Sequence, residues 1–248
     1  MEYLCTMQLR VMAILNVTPD SFYADSRLSS KEEVVQKARQ FVAEGASVLD
    51  IGACSTRPNS TPVSAEEEWR RLEPALTAVK QTFPEVQLSV DTFRPEIAQK
   101  AIRLAGPLIV NDISGDIDSM LPVVRAEHVP YVWTLRGDYS LLGRMDEMTD
   151  IDLILDPGLG FCGGVEQDYA CLRRLDTLHE FGKPVLVGCS RKSMLYKPLG
   201  LTPSDCLPAT QVLHLYALQH GATLLRVHDV KEAMQTVALY QRLTDHTK

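Results

Sequence analysis

Short apolar or β-branched runs recur along the chain, and each is followed by a stretch with helical spacing of its apolar positions. The runs are VMAILNV (Val11 to Val17), SVLDIG (Ser47 to Gly52), QLSVDT (Gln87 to Thr92), PLIVNDI (Pro107 to Ile113), PYVWTL (Pro130 to Leu135), DLILDPG (Asp152 to Gly158), PVLVGC (Pro184 to Cys189) and LLRVHD (Leu224 to Asp229). Between them lie segments such as SSKEEVVQKARQFVAEGA and SAEEEWRRLEPALTAVKQTF, which carry Ser caps, early acids and apolar residues at i, i+3, i+4. Each such segment is long enough to return the chain for another parallel strand. Eight β-α units predict an α/β fold, a (β/α)8 TIM barrel forming a single domain over residues 1–248, with a doubly wound open sheet as the second architecture. One unit is thin: only Arg136 to Thr149 separates the fifth and sixth strands, so a shortened crossover with a short helix at best is expected there.

Polarity enters these runs at their C-terminal edges, at Asn16, Asp50, Asp91, Asn111 with Asp112, Asp156, Ser190 with Lys192, and Arg226 with His228. An Asp or Asn after a strand is ordinarily a turn or helix cap, because its side chain bonds nearby backbone amides. The set carries more weight than any member, since in a barrel these edges converge on one mouth. Arg226 and His228 stand at i and i+2 and share one strand face, leaving Leu225 and Val227 to the other. Beside SRKS they suit an anion such as a phosphate or diphosphate. Asp91 and Asp156 with Asn111 suit a ligand presenting N–H donors, such as a heterocycle with a guanidine-like edge, or a bound cation. The expected pocket is bipolar, with acids on one wall and cations on another.

Composition narrows the partners. The 248 residues are 45% hydrophobic and carry a formal net charge of -7, which argues against nucleic acid or an anionic membrane surface as the main partner. No apolar run reaches membrane-spanning length, and MEYLCTMQLR has neither a basic leader nor a small-residue cleavage site, so a cytoplasmic protein is expected. The six cysteines contain no C-x-x-C pair and fit a reducing compartment. GLGFCG (Gly158 to Gly163) satisfies G-x-G-x-x-G, but Pro157 stiffens the turn and the next strand ends in Cys189 and Ser190 instead of a ribose-binding acid, which disfavours a dinucleotide fold. Hydrolase, NTPase and zinc-protease motifs are absent from the sequence.

Taken in order, ILNVTPDSF (Ile14 to Phe22), DIGACSTRP (Asp50 to Pro58), SVDT (Ser89 to Thr92), VNDISG (Val110 to Gly115), DPGLGF (Asp156 to Phe161), SRKSM (Ser190 to Met194) and LRVHDV (Leu225 to Val230) resemble the signatures of the dihydropteroate synthase family over nearly the whole chain. The resemblance implies condensation of 6-hydroxymethyl-7,8-dihydropterin diphosphate with p-aminobenzoate, Mg2+ as cofactor, sulfonamide inhibition and a homodimer. It also implies residue roles. Asp91, Asn111, Asp156, Lys192 and Arg226 would hold the pterin, while Asn16, Thr56, Arg57, Arg226 and His228 would gather the diphosphate. Thr56, Pro58, Phe161, Lys192 and Ser193 would border p-aminobenzoate, and Asn16 would contact the metal. Asp91, Asp156, Lys192, Arg226 and His228 form the expected catalytic set, and Arg191 is expected either to join the site or to be structural.

The chain departs from the family's pattern in three places. Cys162 and Gly163 stand where Gly-Lys is usual, Cys54 stands where many members have Glu, and WTLRG (Trp133 to Gly137) replaces a Met-His-Met-like stretch. The last leaves Trp133 or Leu135 as the expected substitute for an apolar wall of the pterin pocket. The competing functional readings are a pterin-binding homologue with weak or no synthase activity, favoured by the shortened crossover, and a folate-dependent methyltransferase, disfavoured because methyl transfer releases no diphosphate.

Overall fold

The computed structural model describes residues 8–17, 27–54 and 63–245. Among them strand and helix alternate: β1 (Arg10–Asn16), α1 (Arg27–Glu44), β2 (Val48–Gly52), α2 (Ala65–Thr82), β3 (Gln87–Asp91), α3 (Pro95–Ala105), β4 (Ile109–Asp112), α4 (Ile117–Glu127), β5 (Tyr131–Thr134), a 3₁₀ helix (Tyr139–Met148), β6 (Leu153–Asp156), α5 (Val165–Leu172), α6 (Leu175–His179), β7 (Leu186–Val187), α7 (Ser193–Leu199), a 3₁₀ turn (Pro203–Asp205), α8 (Leu207–Gln219), β8 (Leu224–Val227) and α9 (Val230–Thr244). All strand pairings are parallel, in the order β6-β5-β4-β3-β2-β1-β8-β7. The two ends meet through a bridge between Leu155 and Val185, beside which the Leu155 N–H donates to the Pro184 carbonyl at 2.9 Å. The sheet is therefore a nearly closed (β/α)8 barrel, and the open-sheet alternative is overturned.

Side-chain parity explains where the core lies. Met12, Val48, Ile109, Val132, Ile154, Leu186 and Leu224, one from each strand but β3, form an apolar layer inside the barrel. The alternate residues, among them Leu49, Ile51, Val90, Val110, Trp133, Leu155, Val187, Leu225 and Val227, face outward into the larger core shared with the helices. Strands buried on both faces read as continuous apolar runs for this reason. Two residues beyond the inner layer, toward the C-terminal rim, five of these inward columns turn polar. Val48 gives way to Asp50, Ile109 to Asn111, Val132 to Thr134, Ile154 to Asp156 and Leu224 to Arg226. Burying each aliphatic member of the apolar layer contributes about 1.5–3 kcal/mol, so the plug makes a firm floor beneath the polar tier.

The second helix starts as its sequence predicts, whereas the first begins at Arg27, with Ser29 and Ser30 inside it and no acid in its first turn. Ser64 caps α2 by accepting the Glu67 N–H at 3.2 Å, and Glu66, Glu67 and Glu68 occupy the positive end of the helix dipole. The fifth crossover is indeed shortened. Arg136 and Gly137 both take positive φ (51° and 82°), turning the chain sharply out of β5, and Tyr139–Met148 then forms a 3₁₀ helix instead of an α-helix. Asp138 caps it at the Ser140 N–H (3.0 Å), and Tyr139 anchors it by donating its hydroxyl to the Cys171 carbonyl at 3.0 Å. Arg144 ties its exposed side to Asp118 and Glu147. No helix among the described residues is long and apolar enough to cross a membrane.

Candidate active site

The polar tier at the C-terminal rim is organised around Arg226. Its Nε donates to Asp50 and its Nη2 to Asp91, both at 2.6 Å, and Asn111 Nδ2 donates to the same Asp50 oxygen at 3.0 Å. Asp50 is fully buried and Asp91 almost so. Burial pushes the Asp91 carboxyl up to about 7, opposed by the Arg226 charge and reinforced by Asp50, Glu68 and Asp112. Asp91 comes this close to β2 because Gly52 lies beside it: a Cβ there would stand 3.1 Å from the Asp91 Cβ and 3.4 Å from its Oδ2.

A second pair lies on the adjoining arc. Asp156, ending β6, accepts the Gly158 N–H at 2.7 Å and lies within the electrostatic reach of Lys192, the residue that precedes α7, without a direct ion pair. Burial raises the Asp156 carboxyl and lowers the Lys192 ammonium, moving both toward their neutral forms, while each partner's charge resists the shift. Lys192 reaches back over the DPGLGF turn, donating to the Leu159 carbonyl with its Nζ 5.2 Å from the centre of the Phe161 ring. Two glycines leave it room. A Cβ on Gly160 (φ 87°) would come within 2.9 Å of the Lys192 Cδ, and one on Gly188 would lie 3.7 Å from Nζ and 3.6 Å from the Arg226 Cβ. The turn is itself held by buried Asp168, which accepts the Gly160 N–H at 2.7 Å.

His228 stands beyond Arg226 on the same column. Its ring Nδ1 lies 3.2 Å and its backbone N–H 3.4 Å from the Ser190 hydroxyl, joining the ends of β8 and β7. Arg191 donates twice to Asp229, at 2.6 and 3.2 Å, so it is a structural clamp between the same two loops. Asn16 ends β1, half-buried and in register with Gly52; Ser193 opens α7, also half-buried. Thr56, Arg57 and Pro58 lie outside the described residues, as does most of ILNVTPDSF.

Several expectations are corrected. The walls are not separated by sign, because Arg226 sits between two acids and Lys192 beside a third; a polar series read along each strand does not reveal pairings across the barrel. Asp112 turns outward, accepting from the Ser114 N–H at 2.8 Å and the Tyr131 hydroxyl at 3.0 Å. Trp133 and Leu135 belong to the outer core, so neither supplies the pterin-facing wall, and Thr134 occupies the inward position instead. Two contributors were not among the sequence-derived site residues. Asp50 was noted only as a strand-edge acid, though an acid inside VLDIG signals an inward partner for a cation, and Asp168 gave no signal beyond its place in a helix's first turn.

A parallel barrel with buried acids, an arginine, a lysine and a histidine drawn together at its C-terminal rim has the build of an enzyme for a small polar molecule. The sequence profile of the pterin binding enzyme family matches residues 12–139 and 144–228, so the chain belongs to that family, the match breaking only inside the 3₁₀ crossover. Within it, the relatives include dihydropteroate synthases. The Escherichia coli K12 enzyme is 34% identical over 256 residues, covering 93% of this chain and 90% of the relative. The Xanthomonas albilineans enzyme solved with 4-aminobenzoic acid superposes with a TM-score of 0.87 at 35% identity, covering 96% of this chain and 94% of that one. The Yersinia pestis enzyme solved with a sulfonamide drug gives 0.85 at 29% identity, covering 95% and 94%.

Proposed function

We propose that the chain is a dihydropteroate synthase, joining p-aminobenzoate to the C9 methylene of 6-hydroxymethyl-7,8-dihydropterin diphosphate and releasing diphosphate. The observation that carries this reading is the Asp50–Arg226–Asp91 network on the same rim as Asp156 and Lys192, which both bond to the DPGLGF turn. If the bond to diphosphate loosens before the amine arrives, positive charge grows on the methylene while negative charge grows on the leaving group. Buried groups fixed in advance stabilise that separation without reorganising.

In this reading Asp156 accepts hydrogen bonds from the pterin 2-amino and N3–H edge, Asn111 adds an amide contact, and Lys192 meets the O4 and N5 side. Asp91, ionised, faces the developing cation. Arg226 holds Asp50 and Asp91 in place and directs positive potential toward the diphosphate, which Asn16 and His228 gather with Thr56 and Arg57. Phe161, Ser193, Thr56 and Pro58 border p-aminobenzoate. Attack by its amine forms the C9–N bond as the C9–O bond to diphosphate breaks, and the amine then loses one proton to solvent.

Magnesium fits the donor set. Among the described residues no cluster of three or more His, Cys, Asp or Glu gathers, and Mg2+ needs none, since it favours an amide or carboxylate oxygen together with substrate phosphates and water. Asn16 would hold it, and the ion would neutralise charge on the departing diphosphate. The outward surface of α8 and α9, where Val212, Leu239 and Leu243 are more than half exposed, supports a homodimer. The thiols of Cys162, Cys171, Cys189 and Cys206 fit the reducing cytoplasm. Release of diphosphate by purified protein given both substrates and Mg2+ tests the reaction; pterin binding without turnover would favour a binding homologue.

A further inference from the structure

We propose that Glu68, Thr92 and Arg94 form a positioning site that fixes the Asp91 carboxylate from behind, outside the substrate pocket. Three acids open α2, and they diverge in fate. Glu67 pairs with Arg70 and Arg71 on the surface, whereas Glu68 turns inward and is fully buried. One Glu68 oxygen accepts the Thr92 hydroxyl at 2.6 Å, and the other accepts from Arg94 Nη1. Arg94 Nη2 donates to the Val63 carbonyl at 2.6 Å, and the Arg94 N–H donates to the Thr92 hydroxyl at 3.2 Å. Thr92 is fixed on its other side by its own N–H, which donates to the Asn111 carbonyl at 3.1 Å.

Thr92 directly follows Asp91. The network therefore holds the backbone on which the carboxylate is mounted and ties the end of β3 to the start of α2. A buried ion pair is a poor device for stability alone, because desolvation offsets much of its attraction and an apolar pair of similar volume serves as well. What the pair does supply is direction, through a network of five hydrogen bonds, three of which are made by Thr92, the residue beside Asp91. Thr92, Glu68 and Arg94 thus act through Asp91 and touch no reacting atom.

This inference rests on the role assigned above to Asp91, and the experiment separates the two. Thr92→Val keeps shape but removes the hydroxyl, Thr92→Ser keeps the hydroxyl but removes a methyl, and Asp91→Asn removes the carboxylate charge. The expected result is a kcat in Thr92→Val lower by on the order of tenfold, with the KM for p-aminobenzoate within about twofold, and recovery in Thr92→Ser. A Thr92→Ser enzyme as impaired as Thr92→Val would show packing, not positioning, and would overturn the inference. So would parental kcat in Thr92→Val while Asp91→Asn is inactive. Parental activity in Asp91→Asn would overturn the assignment of Asp91 and this inference together.

Discussion

Asp91 and Arg226, 135 residues apart in the chain, meet at 2.6 Å inside the C-terminal rim of the barrel. The contact sets what each can do. Arg226 keeps a buried carboxylate ionisable, and Asp91 with Asp50 holds the guanidinium in one orientation. Replacing Arg226 with Met would leave two buried carboxylates without their cation. Stability should fall by about 3–5 kcal/mol in urea unfolding, and activity should be lost. Arg226→Lys, which cannot reach both acids through a planar fork, should recover part of the stability and little of the activity.

The raised Asp91 carboxyl gives a pH dependence with a definite sign. Its folded value, about 7, lies above the ordinary 3.8, so the folded state binds a proton that the unfolded chain has lost. Its contribution to stability is full below about pH 4 and is lost as pH rises through 7. Activity needs the ionised form and should run the other way, with an acid limb near pH 7 from Asp91 in the field of its charged neighbours. A kcat/KM profile that is flat from pH 5 to 8 would remove Asp91 from the reacting set.

Asp156→Asn keeps the shape of the side chain and its turn with Gly158 but removes the charge. Pterin affinity measured by calorimetry should weaken by roughly 1.5–3 kcal/mol, the worth of a charge-assisted bond. Unchanged affinity would show that Asp156 serves only the turn.

Gly160→Ala should damage the site without touching a polar group. The new methyl would meet the Lys192 Cδ at 2.9 Å on a backbone with φ 87°, so Lys192 must move or the turn must strain. A stability loss of about 1–2 kcal/mol and a raised KM for the pterin substrate are expected. Parental KM would show that Lys192 is not held against this turn.

The barrel was legible because strands buried on both faces are written as apolar runs, and the step from Leu224 to Arg226 or Ile154 to Asp156 marks where the interior turns polar. Pairings across the barrel were not legible. Arg226 and Asp50 are 176 residues apart, and nothing local to either names the other. Glu68 was hidden among three consecutive acids whose burial depends on how α2 docks. Thr134 was hidden because both neighbours are apolar, so parity within YVWTL could be settled only by the pairing of β5 with β6.

The most direct measurement is diphosphate release by the purified protein with Mg2+, the pterin diphosphate and p-aminobenzoate, run with and without a sulfonamide. The account predicts turnover that yields dihydropteroate and is suppressed by the drug. Tight pterin binding with no diphosphate released would contradict it.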